Sequence, residues 1–480
     1  MTSFRIAESS SANPSREDVL FPGVAGSLLG AAAADALGWI TEFVRGKDHL
    51  QKLYKTDLVT EYRAWEKTSG GRFIAHVDRI EKGEYSDDTQ LSLAVARSLL
   101  ADGTVDVEHL AKAELPLWRD YARGAGSSVT AAAKGLARKN VRWNRNFYTY
   151  THRGQQLDYR DAGGNGGAMR VGPIALANPG RPEAVSDGVW RSTVVTHGHP
   201  RAIFGGLLYG HALRLCLEGR GSLTREGFLE DLSAVIAQEQ PPDDPEFQEW
   251  VTIWDRGSDQ PFATASNLVR KEVLAELEYL KVLPTADDPI HEYMQRLGCF
   301  RPETKGSATA TVLAALGVFL QAGRDVRNAI VRTVNQLGSD TDTIGAFVGG
   351  LCGALHSYDS IPHEWASELQ DYDYFLRVAT EISRIAAGEG IGGRALLPER
   401  TGELADLPDL LTSLRSDDLN LGERAYHPLF GPGWVNGIEP QPLRRKDGGK
   451  VVYARVQFDL GQSCKFKDLR IPRRSQSRPN

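Results

Sequence analysis

Residues 19–43 read VLFPGVAGSLLGAAAADALGWITEF, a helical run built largely from Gly and Ala, with Asp35 and Glu42 as its only acids. Small side chains let neighbouring helices approach closely. Outward from this run, helical spacing recurs along the chain. Asp88–Leu100 (DTQLSLAVARSLL) sets Leu91, Val95 and Leu99 on one face. Residues 107–122, 127–138, 181–196, 200–218, 224–238, 262–282, 308–321, 324–336, 342–356 and 364–388 read as further helices. Few alternating runs precede residue 400, and no period of about 20–50 residues recurs. The expectation over residues 19–390 is an all-α globular body, its helices clustered rather than stacked as a solenoid. Residues 47–82 read as irregular. Residues 139–170 read as a long polar, aromatic and Gly-rich connection, of a kind usually functional or disordered.

The chain has 480 residues, 41% apolar and 25% charged. These are globular proportions, and they exclude a mostly disordered chain, a collagen and a disulfide scaffold. Gly, Asp or Arg breaks each apolar stretch before the roughly 18 residues a membrane span needs, so no membrane association is expected. The polar start, residues 1–18, reads as a disordered lead-in and not as a signal peptide. Cys216, Cys299, Cys352 and Cys464 lack metal-ligand spacing. They read as isolated buried thiols, which fits a reducing cytoplasm.

The pattern changes towards the C-terminus. Residues 391–426, with Pro398 and Pro408, read as a linker with a short helix near 407–414. Val452, Ala454, Val456 and Phe458 then alternate with Tyr453, Arg455 and Gln457, which is strand patterning. Asp447-Gly448-Gly449 signals a hairpin turn, and Asp459–Gln462 a second. A small β-barrel over 427–472 is expected, followed by a basic tail at 473–480. Segment 427–480 carries 11 Lys+Arg against 4 Asp+Glu, and the rest of the chain 45 against 58. Such a basic end is a solvated arm or a contact for protein or nucleic acid, since positive charge alone gives only non-specific attraction.

Two clusters carry more acid than local structure requires. In Tyr85-Ser86-Asp87-Asp88-Thr89, one oxygen suffices to cap the helix that follows, yet two adjacent carboxylates are present. Gly338-Ser339-Asp340-Thr341-Asp342-Thr343 opens another helix with the same surplus. Together they offer four carboxylates and several hydroxyls without Cys or His, a set suited to hard divalent cations such as Mg²⁺ or Mn²⁺. Four buried anions repel unless cations neutralise them, and two metals about 3.5–4 Å apart would fit that charge. Asp161–Arg170 (DAGGNGGAMR) and Arg123–Ser128 (RGAGSS) are Gly-rich. They read either as plain flexible loops or as backbone that receives phosphate, the second at a helix N-terminus. Glu42 and His197 (in THGHP) also have ordinary readings, as a surface carboxylate and a hydrogen-bonded loop histidine.

In order, G-x-x-x-x-D-A-L-G-x-x-x-E-F, S-D-D-T, G-N-G-x-A-M-R, T-H and G-S-D-T-D-T resemble the ADP-ribosylglycohydrolase family over about residues 20–390. The resemblance implies an all-α fold with two divalent cations, Mg²⁺ or Mn²⁺. It implies metal ligation by Ser86, Asp87 and Asp88 and by Asp340, Asp342 and Thr343, with Asp342 as bridge. It puts Glu42 near the scissile ribose, and Gly124, Gly126, Ser127, Asn165, Gly166, Met169 and His197 around ADP-ribose. Ser86 stands where many relatives carry Thr, and Asp161-Ala162-Gly163 lacks the Tyr of some relatives. The C-terminal segment is similar to the Tudor/SH3-like barrel that closes certain bacterial DNA-repair helicases, which implies a protein or nucleic-acid contact.

The implied activity is metal-dependent hydrolysis of the C1″ glycosidic bond between ADP-ribose and an acceptor, an ADP-ribosylated protein first among substrates. Asp88 or Asp342 would hold the water or take its proton. Glu42 would gate the site, position the ribose or assist proton transfer. The rivals are a dimetal hydrolase of a nucleotide or free ADP-ribose derivative, and an idle ADP-ribose reader, against which the full acid set argues. Acceptor contacts are expected on loops 139–165 and 240–262.

Overall fold

The computed structural model describes residues 15–71, 74–283, 289–396, 400–444 and 448–471. The greater part of the expected lead-in, the basic tail 473–480 and Asp447 of the expected turn lie outside the described residues. The first helix, α1 (Arg16–Trp39), begins within the lead-in range. Ser15 and Asp18 cap it reciprocally, each side chain accepting the other's amide at 3.1 and 3.0 Å. It is followed by α2 (Lys47–Tyr54), α3 (Asp87–Arg97), α4 (Ser127–Leu136), α5 (Pro182–Val194), α6 (Pro200–Glu218), α7 (Phe262–Lys281), α8 (Ala308–Ala322), α9 (Thr341–His356) and α10 (Tyr372–Ala387), with further helices between them.

The Gly/Ala run does what its small side chains allow. α1 and α9 lie antiparallel with their backbones in contact. A Cβ built on Gly30 would stand 2.3 Å from the Gly349 carbonyl oxygen, and one on Gly349 2.0 Å from that of Gly30. Gly26 meets Gly353, and Gly38 meets the Thr341 carbonyl, at 2.3 and 2.4 Å. The four-residue step is one ridge of a helix, so a ridge of Gly broken in α1 only by the methyl of Ala34 meshes with the Gly ridge of α9. α10 packs against α1, while α6 and α8 pack against α9. α1 is long and apolar enough to cross a membrane, yet it runs through the protein interior.

Three departures from the expected pattern have local causes. Residues 47–82 contain α2 and the hairpin β1 (Trp65–Ser69) with β2 (His76–Ile80), and 139–170 contain β3 (Thr149–His152) paired with β4 (Gln155–Asp158). These strands of four or five residues are too brief for alternation to register. The expected helix 107–122 is broken, with a π turn at Leu110–Glu114. Pro116 cannot donate to the carbonyl one turn back, and the register widens there.

The C-terminal segment is a four-stranded antiparallel sheet, β5 (Arg424–His427), β6 (Gly431–Pro442), β7 (Lys450–Phe458) and β8 (Ser463–Arg470), paired in sequence order. Among the described residues no pairing joins β5 to β8, so the expected closed barrel is replaced by an open sheet. Its first strand begins inside the expected linker.

The sheet also shares the core of the helical body. Tyr121 packs its ring on Phe430 and Phe466 at 5.2 and 5.7 Å. Buried Arg97 pairs with Glu114 at 2.8 Å, donates to Gln462 at 3.1 Å, and lies over Phe430. Glu84, two residues before Ser86, accepts from Arg123 of the body and Arg455 of the sheet at 3.1 and 2.6 Å. The sheet therefore braces the loop that carries the first acidic cluster. Arg455→Ala should destabilise the fold by about 1.5–3 kcal/mol, the worth of a hydrogen bond to a charged group. A thermal midpoint equal to wild type would contradict this brace.

Candidate active site

Where Gly38 meets Thr341, three distant stretches of chain bring their acids together. Asp35 of α1, Asp88 in the first turn of α3 and Asp342 in the first turn of α9 offer oxygens within 4.8 Å of one another. Glu42, Asp340 and Asp342 form a second group at the same limit, so Asp342 belongs to both. Local bonds hold the arrangement. Asp35 accepts from the Ser86 and Thr89 amides at 3.1 Å and from the Thr89 hydroxyl at 2.6 Å, tying α1 to the start of α3. The Thr341 hydroxyl donates to the Gly38 carbonyl at 2.9 Å and accepts from Thr41 at 3.0 Å, which fixes the turn bearing Glu42. Asp342 accepts the Thr343 amide at 2.9 Å, and Asp340 accepts from the Asn165 side chain at 2.8 Å.

This crowding makes the carboxyls hard to ionise. Burial pushes Asp35, Asp88, Asp340 and Asp342 above the ordinary carboxylate range. The charges of Asp35 and Asp87 add to the effect at Asp88, and those of Glu42 and Asp340 at Asp342. Asp87 is pushed up to about 7 by burial and then by Asp35. Half-buried Glu42 is pushed up to about 8 by burial and then by Asp340, with Lys305 pulling the other way. Lys305 also donates to the Glu42 carbonyl at 2.9 Å. The donors are all oxygen, and Asp88 Oδ1 is buried without a hydrogen-bond partner. Both features fit a hard divalent cation.

Among the expected ligands, Ser86 caps α3, its hydroxyl accepting the Asp88 amide and donating to Asp88 Oδ2, each at 3.2 Å. Thr343 lies beside Asp342. Asp87 falls outside both groups. It faces Gly124, where a Cβ would stand 2.8 Å from Asp87 Oδ1 and where φ is +71°, so that position takes only Gly without strain. Asp35 was not expected as a ligand. Its signal was a carboxylate inside a run otherwise too small and apolar to face water.

Of the residues expected around ADP-ribose, Gly126, Ser127, Gly166 and His197 gather at the start of α4. Gly126 is its N-cap, and Ser127 approaches His152 at 3.4 Å. Ser128 bonds His197 Nε2 at 3.2 Å, and Thr196 bonds His197 Nδ1 at 2.8 Å. A Cβ on Gly166 would meet Val129 at 2.8 Å and His197 at 3.0 Å, so the Gly-rich loop lies against both. Asn165 joins that loop to the acids through Asp340. Met169 is buried and shares a small internal void with Asp88. Burial, then Arg170, pushes His197 down to about 3, so it is neutral and serves by hydrogen bonding.

The family model described as ADP-ribosylglycohydrolase matches residues 17–391. An ADP-ribosyl-dinitrogen reductase glycohydrolase of Rhodospirillum rubrum is 27% identical over 361 residues, covering 75% of this chain and 92% of that one. The ADP-ribosylhydrolase ARH3 of Homo sapiens is 25% identical over 381 residues, covering 75% and 92%. The ADP-ribosylarginine hydrolase Tri1 of Pseudomonas putida (strain GB-1) is 24% identical over 369 residues, covering 74% and 76%.

Proposed function

The chain belongs to the ADP-ribosylglycohydrolase family and is a glycohydrolase, and we propose that it cleaves the C1″ bond joining ADP-ribose to an acceptor with the help of two divalent cations, Mg²⁺ or Mn²⁺. The observation that carries this reading is the sharing of Asp342 between two groups of acids. Asp35, Asp88 and Asp342 would hold one ion, and Asp340, Asp342 and Glu42 would hold the second, with Ser86, Asp87 and Thr343 close by. When bound, such ions supply a water of lowered pKa and polarise ribose oxygens.

The chain's own groups do the rest. Amides at the start of α4 and in the Asn165–Gly167 turn offer donors to the diphosphate. Neutral His197 fixes the Gly-rich loop against α4. Glu42, on the turn after α1 and beside Asp340 and Asp342, can position the ribose or assist proton transfer to the leaving acceptor. The unpaired, buried cysteines suit a reducing cytoplasm. The linkages named in the relatives, ADP-ribosylarginine and ADP-ribosylated dinitrogen reductase, mark ADP-ribosylated protein as the first substrate to try.

The test is release of free ADP-ribose, followed by chromatography, from arginine- and serine-linked ADP-ribosylated proteins with Mg²⁺, with Mn²⁺ and with a chelator. Divalent-dependent release is expected, and intact substrate under all conditions would overturn the proposal. A pH dependence should accompany it. Carboxyls held above their ordinary pKa keep protons near neutrality, and cation uptake must eject them. Apparent cation affinity therefore rises with pH between about 6 and 8. Calorimetric heats should vary with the ionisation enthalpy of the buffer, and buffer-independent heats would contradict this.

A further inference from the structure

A cavity of about 770 Å³ lies between α2, the β1–β2 hairpin and strands β7 and β8. Its lining includes Gly124 and Lys67, and both border the acid centre. Gly124 abuts Asp87. The Lys67 ammonium stands 4.5 Å over the Trp39 ring, in the field of Asp87 and Glu42. Phe43 and Val44, which follow Glu42, line the same cavity. The opposite wall comes from Val451, Tyr453, Lys467 and Leu469, all beyond residues 17–391 that the family match covers. The C-terminal sheet thus contributes a wall to the space beside the scissile end of the site.

The lining is aromatic and cationic. Phe43, Tyr54, Trp65 and Tyr453 contribute rings, and Phe43 is 53% exposed. Both lining acids are already neutralised, Glu66 by Arg79 at 3.1 Å and Asp78 by Lys465 at 2.7 Å. Lys67, Arg119 and Lys467 make no ion pair within 4.0 Å among the described residues, although Asp78 acts on both lysines from farther away. The Lys467 ammonium donates to the Ala122 carbonyl at 2.9 Å. His76, bound to the Ile74 carbonyl at 2.9 Å and the Tyr453 hydroxyl at 2.8 Å, pins the hairpin to the sheet and keeps the walls fixed. Ring faces beside unpaired cations suit a stacked base and its flanking phosphates. A cationic arginine acceptor would meet repulsion here. The volume is that of a small-molecule site, enough for a base drawn out of a strand and too small for a duplex.

We propose that this cavity is the acceptor site, and that the acceptor it takes is a base of single-stranded nucleic acid whose attached ADP-ribose lies on the acid centre; this rests on the glycohydrolase reading above. Hydrolysis breaks the bond from C1″ to the base nitrogen. The water oxygen forms the new bond to C1″, the proton passes to that nitrogen, and the base leaves unmodified beside free ADP-ribose.

The test uses the full chain, a fluorescein-labelled single-stranded oligonucleotide and its duplex for anisotropy. The substrates are the same oligonucleotide bearing base-linked ADP-ribose and an ADP-ribosylarginine peptide. Arg119→Glu combined with Lys467→Glu alters two exposed side chains away from the acids. Wild type should bind the single strand in preference to the duplex, with affinity falling steeply as salt rises. The double variant should weaken binding and raise KM for the oligonucleotide by about tenfold or more, with kcat within about twofold, while hydrolysis of the cationic peptide does not fall. Phe43→Ala, which removes one ring, should weaken strand binding by about fivefold or more. Cleavage of the peptide but not the oligonucleotide overturns this proposal and leaves the glycohydrolase standing, while cleavage of neither overturns both. Equal losses on both substrates, or strand binding indifferent to the charge reversal, also overturn it.

Discussion

Asp342→Asn should leave a folded protein that releases ADP-ribose about a thousandfold more slowly, a loss of roughly 4 kcal/mol of transition-state stabilisation. Asp342 is the one carboxylate common to both groups of acids, so a single change of charge affects both places where a cation would sit. The same variant should be at least as stable as wild type without added metal. Asp342 is held above the ordinary carboxylate range by burial and by the charges of Glu42 and Asp340, and an amide of the same shape removes that repulsion. Wild type should gain about 2.7 kcal/mol for each ion bound at a hundredfold excess of divalent cation over its dissociation constant, and the variant little. Thermal midpoints with and without Mn²⁺ test the pair of outcomes. Full activity with an unchanged metal response would show that Asp342 lies outside the reacting centre.

Gly349→Ala should have a large structural effect. The added methyl carbon would stand 2.0 Å from the Gly30 carbonyl oxygen and 2.6 Å from its carbon. Both are backbone atoms in the middle of a helix and cannot rotate away. The helices must separate, at a cost of about 3 kcal/mol or more, the upper end of core overpacking. The site should suffer with the fold, because the α1–α9 crossing sets Asp35 beside Asp342. Gly46→Ala is the control. Nothing lies within 4 Å of its added carbon and its φ of 168° is extended backbone, so a change within about 0.5 kcal/mol is expected. Equal stability of the two variants, measured by denaturation, would refute the close crossing.

The contrast between Gly349 and Gly46 also indicates what a single sequence can reveal. A small-residue ridge repeated every four positions is local, so helix α1 and its capacity for close packing were legible. The surplus acids of Asp87-Asp88 and Asp340-Thr341-Asp342 were legible for the same reason, since a helix cap uses one oxygen. Asp35 was not assigned, because its role depends on α3 docking its amides onto it from 51 residues away. The strands over 424–470 were visible by alternation. Their union with the body was not, because Tyr121, Arg97 and Glu84 meet that sheet only through tertiary contact. The open edge between β5 and β8 is likewise a matter of long-range pairing. The hairpin at Trp65–Ile80 has strands of five residues, too short for periodicity to separate from a turn-rich loop, yet it forms a wall of the cavity beside the acids.

The most direct test of the central claim is a calorimetric titration of Mn²⁺ into the wild-type protein and into Asp342→Asn. Carboxylates gathered from α1, α3 and α9 around a shared Asp342 predict two ions per wild-type chain, bound with release of protons, and loss of that paired binding in the variant. No binding to wild type, or the same two-ion isotherm in both proteins, would contradict it.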